Sequence, residues 1–89
     1  MAVSSRSIMI GRDRMSEVLE PLLGSELALE RANNIAQVLV FAAEDVAGVA
    51  FGMLRSTGLT DARAVADEVA RAWHRGLADS LRGSAGRAA

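Results

Sequence analysis

A chain of 89 residues is bounded to one domain, and 51 % of it is hydrophobic while only 3 % is aromatic. Ten arginines against eleven acidic residues leave a net charge of −1, a balance that argues against a domain dominated by nucleic-acid binding. The absence of cysteine excludes disulfides and thiolate metal sites, and no long apolar run at the N-terminus marks a signal peptide, so the cytoplasm is the expected compartment.

In chain order, residues 1–12 read as a flexible N-terminal arm. Ser4, Ser5, Arg6 and Ser7 are small and polar, and Ile8, Met9 and Ile10 form a short apolar cluster. Met9 and Met15 are alternative start residues to Met1. Residues 13–83 form the expected helical domain, with helices over about 13–20, 25–55 and 61–82. Met15, Val18, Leu19 and Leu22 recur at i, i+3, i+4 and i+7, the spacing of a short amphipathic helix. Pro21 lacks an N–H and clashes with the preceding turn, so this helix is expected to break near Glu20. The next helix is expected to be capped by Ser25.

The central stretch is the most apolar part of the chain. Ala28, Ala32, Ile35, Leu39, Ala42, Val46, Val49 and Met53 step by four and three, a heptad seam. Leu29, Ala36, Val40, Ala43, Ala47, Ala50 and Leu54 form a second seam on a neighbouring face. The remaining strip is polar, carrying Glu30, Asn34, Gln37 and Glu44, but Phe41 interrupts it. A helix apolar on two faces must be covered on both. Gly48 and Gly52 form a Gly-x-x-x-Gly pair suited to close backbone approach. A continuous helix over 25–55 is therefore expected, with Asn33-Asn34 as its weakest point. Its length would suit a membrane span, but Glu44 and Asp45 at its middle oppose insertion.

Ser56-Thr57-Gly58-Leu59-Thr60 is the clearest punctuation. Gly58 suits a left-handed helix end and Thr60 is placed to cap the helix that follows. In that helix Ala62, Val65, Ala66, Val69, Ala72, Trp73, Leu77 and Leu81 form the expected buried stripe. Asp67, Glu68, Arg71, Arg75 and Asp79 face out, and Gly83 marks its stop, leaving residues 84–89 as a disordered tail.

No catalytic, cofactor-binding or metal-binding residue is assigned. His74 is the single histidine, and Arg71 stands where a Glu-x-x-His motif would need glutamate. Nucleotide-binding glycine loops are absent. The apolar helix followed by Gly58 and a helix with Ala62, Ala66 and Ala70 is similar, over about half the chain, to the dimerisation region of phage Mor-type activators. The aromatic–proline signature and DNA-binding half expected after it are missing, so no family is assigned.

The reading is an all-α helical bundle or helical hairpin around one long apolar helix, completed by homodimerisation. Ile35, Leu39, Ala42, Val46, Gly48, Val49, Gly52 and Met53 are the expected interface and packing residues. Arg71, His74 and Arg75 are the candidate residues for binding an unidentified protein partner. The expected function is a non-enzymatic protein-interaction module, a small bacterial or phage adaptor, regulator or inhibitor. The alternatives are a dimeric transcriptional or DNA-associated factor and, less favoured, a small membrane-inserted helix pair. No small-molecule partner or cofactor is implied.

Overall fold

Four helices follow one another in the computed structural model, which describes residues 5–41 and 43–88 and the side chains of 5–41 and 44–82. They are α1 (Ser5–Leu23), α2 (Ser25–Leu39), α3 (Val46–Leu54), preceded by a 3-10 turn over Ala43–Asp45, and α4 (Ala62–Ala88). Among the described residues the fold is all-α, as the composition implies.

The first helix is longer than its sequence pattern. It starts at Ser5, inside the expected flexible arm, because Ile8, Gly11, Met15 and Leu19 lie on one face and all pack inward. Pro21 does not end it. Proline removes one backbone hydrogen bond, and so near the helix end the loss is confined to the last turn. The helix stops at Gly24, whose φ of 84° is a left-handed conformation that a side chain would strain. Gly24 also occupies the capping position of α2, where Ser25 was expected; the Ser25 hydroxyl donates instead to the Glu20 carboxylate.

The expected continuous helix over 25–55 is two helices. Asn33 and Asn34 lie within α2, and the break falls at residues 40–45. There the last turn of α2 tightens: the Phe41 N–H donates to the Val38 carbonyl, three residues back. Asp45 then caps α3, its Oδ1 accepting from the Gly48 N–H at 3.0 Å. Beyond the break the buried positions become Val46, Ala50 and Leu54, so packing passes from the first apolar seam to the second.

The turn after α3 follows the sequence pattern, with Gly58 at φ 81°. The cap of α4 is Asp61 rather than Thr60, its Oδ1 accepting from the Ala64 N–H. Gly83 does not stop α4, which continues through most of the expected tail to Ala88. Residues 1–4 and Ala89 of the expected arm and tail lie outside the described residues.

α1 packs against both α2 and α4, and α3 packs on α4 and α2. Trp73 and Met15 are the largest buried side chains in an otherwise aliphatic and alanine-rich core. The buried stripe of α4 holds the expected Ala66, Val69, Ala72 and Trp73, with Val65 and Leu77 packed against it, but towards the C-terminal end it passes to Gly76 and Ser80 and leaves Leu81 67 % exposed. The cause is the α1–α4 crossing. A Cβ on Gly76 would come within 2.6 Å of the Gly11 Cα, and one on Gly11 within 2.5 Å of the Trp73 ring. Four residues before Gly11, Ser7 shares a 2.8 Å hydroxyl hydrogen bond with Ser80, four residues after Gly76. The helices therefore run antiparallel with backbones nearly in contact. Arg14 reaches Asp79 at 3.2 Å on the rim.

Gly76→Ala must push two backbones apart and is expected to destabilise the fold by about 1–3 kcal/mol. Gly52→Ala, where an added Cβ meets nothing within 4 Å, is expected instead to stabilise by about 0.5–1 kcal/mol through helix propensity. Urea denaturation of the two variants checks the contrast.

Candidate functional site

The expected interface residues divide into three groups. Ile35, Leu39 and Val46 are buried in the chain's own core, where Met15, Leu19 and Trp73 also lie. Val49 and Met53 are half-buried against the same core. Gly48 and Gly52 face neither α1 nor α4. A Cβ on Gly48 would strike the carboxylate of Asp45, so this glycine leaves room for the cap of its own helix, and Gly52 is exposed. Close approach through paired glycines does occur in the fold, but between α1 and α4 at Gly11 and Gly76. Ala42 lies outside the described residues.

What remains uncovered at the α2–α3 corner is Phe41, 90 % exposed, with Val40 at 48 % beside it. Phe41 borders a shallow depression with Asn34, Gln37, Val38 and Met53. Its lining is amide and apolar and carries no charge. In the sequence Phe41 interrupts the polar strip, and that interruption is the signal of its exposure. Asp45, which with Glu44 opposes membrane insertion, is the cap of α3, and its place just before an apolar helix is the signal for it.

Arg71, His74 and Arg75 do come together. All three are exposed on α4 and line a second shallow depression with Asp67, Ala70 and Ala78. The face has mixed sign, because Arg71 pairs with Glu68 and Asp67 lies along the same rim. An exposed pair of this kind is worth only about 0–1 kcal/mol, so it contributes little to the fold. Elsewhere Arg63 lies over the Phe51 ring, its guanidinium carbon 4.1 Å from the centroid, and covers the outer side of α3.

Among the described residues no group of three or more His, Asp or Glu side chains is arranged to hold a metal ion. Among the same residues no helix is long and apolar enough to cross a membrane. No protein-family model, curated protein or solved structure matches this chain. Two of the exposed surfaces are therefore an apolar depression with an uncharged lining beside Phe41 and a mixed-charge helical face around His74.

Because Arg71 and Arg75 sit on the surface, Arg71→Ala and Arg75→Ala are each expected to change stability by less than about 0.5 kcal/mol. Thermal denaturation of both variants checks this, and any larger binding defect they show is then attributable to the surface.

Proposed function

We propose that the chain is a non-enzymatic protein-interaction module, a small adaptor, regulator or inhibitor that pairs with a second copy of itself and engages another protein. The exposure of Phe41 carries this reading. Burying a phenylalanine side chain is worth about 1.5–3 kcal/mol, so a folded chain that leaves one almost fully in water has that driving force in reserve for association. Aromatic residues ringed by partly apolar, uncharged surface are typical anchors of protein interfaces.

Self-pairing draws support from the chemistry of the corner. The depression beside Phe41 has an uncharged lining, and the side chains of Asn34 and Gln37 each offer donors and an acceptor to their own kind. A two-fold contact needs this self-complementarity. The α4 face suits a different partner, with Arg71, His74 and Arg75 offering cationic and aromatic contacts within a rim of acids. A DNA-associated role has less support, since Asp67 and Glu68 share that face and oppose phosphates.

The test is photo-cross-linking with p-benzoylphenylalanine at position 41, in cells and with the pure protein. Covalent products with protein, either a second copy or another chain, are expected, and the same probe at the exposed position Glu26 should give markedly less. Absence of any protein adduct at position 41 would overturn the reading.

A further inference from the structure

We draw no further inference here: the strongest candidate, the Arg71, His74 and Arg75 cluster over the shallow depression on the exposed face of α4, belongs to the surface already described, and with Asp67 and Glu68 along the same face nothing in the structure shows what covers it.

Discussion

Two helix backbones nearly touch where Gly11 of α1 crosses Gly76 of α4, and the rest of the molecule is arranged around that contact. Neither position has room for a Cβ: on Gly76 it would meet the backbone of α1, and on Gly11 the ring of Trp73. The indole lies in the space that the missing side chain of Gly11 leaves. It joins a core that a chain with few aromatics fills mainly with Ala, Val, Leu and Met. Ser80, the one polar residue that is buried among the described residues, lies beside the crossing and its hydroxyl is matched by Ser7.

That crossing sets the course of the middle of the chain. With α1 fixed antiparallel on α4, the segment between them must cover both. α2 returns along α1 and α3 leads into α4. A helix running straight through residues 25–55 could not do both within one chain. The turn at 40–45 resolves the conflict at the cost of exposing Phe41, and the Asp45 cap offsets part of that cost by satisfying an otherwise unpaired N–H of α3. Local preference and tertiary demand disagree at this point and agree nearly everywhere else, and such disagreements tend to mark functional positions.

The Phe41 depression and the α4 face differ in chemistry. The Phe41 corner is uncharged and apolar, which favours a like surface. The α4 face carries both signs over a floor of Ala70 and Ala78, which favours contacts of salt-sensitive, orienting character more than affinity. Under the proposed function, self-pairing would present the α4 face twice, which raises avidity without any new contact.

By itself the sequence determined the all-α class, the inward faces of Ala28, Ala32, Ile35 and Leu39, the burial of Trp73 and the left-handed turn at Gly58. These follow from periodicity and from single-residue conformational limits, which act within a few positions of the chain. The exposure of Arg71, His74 and Arg75 was legible in the same way. The tertiary structure alone decided which glycines matter, since Gly11 and Gly76 are 65 residues apart and neither looks unusual locally, while the more conspicuous Gly48 and Gly52 make no helix crossing within the chain. It also decided that Ser80 is buried in place of Leu81, because a close crossing selects for smallness over apolarity. The bend at Phe41 was legible only in part: Phe41 interrupts the polar strip and Asp45 is placed to cap α3, but that α2 packs on α1 while α3 packs on α4 is decided by the tertiary structure.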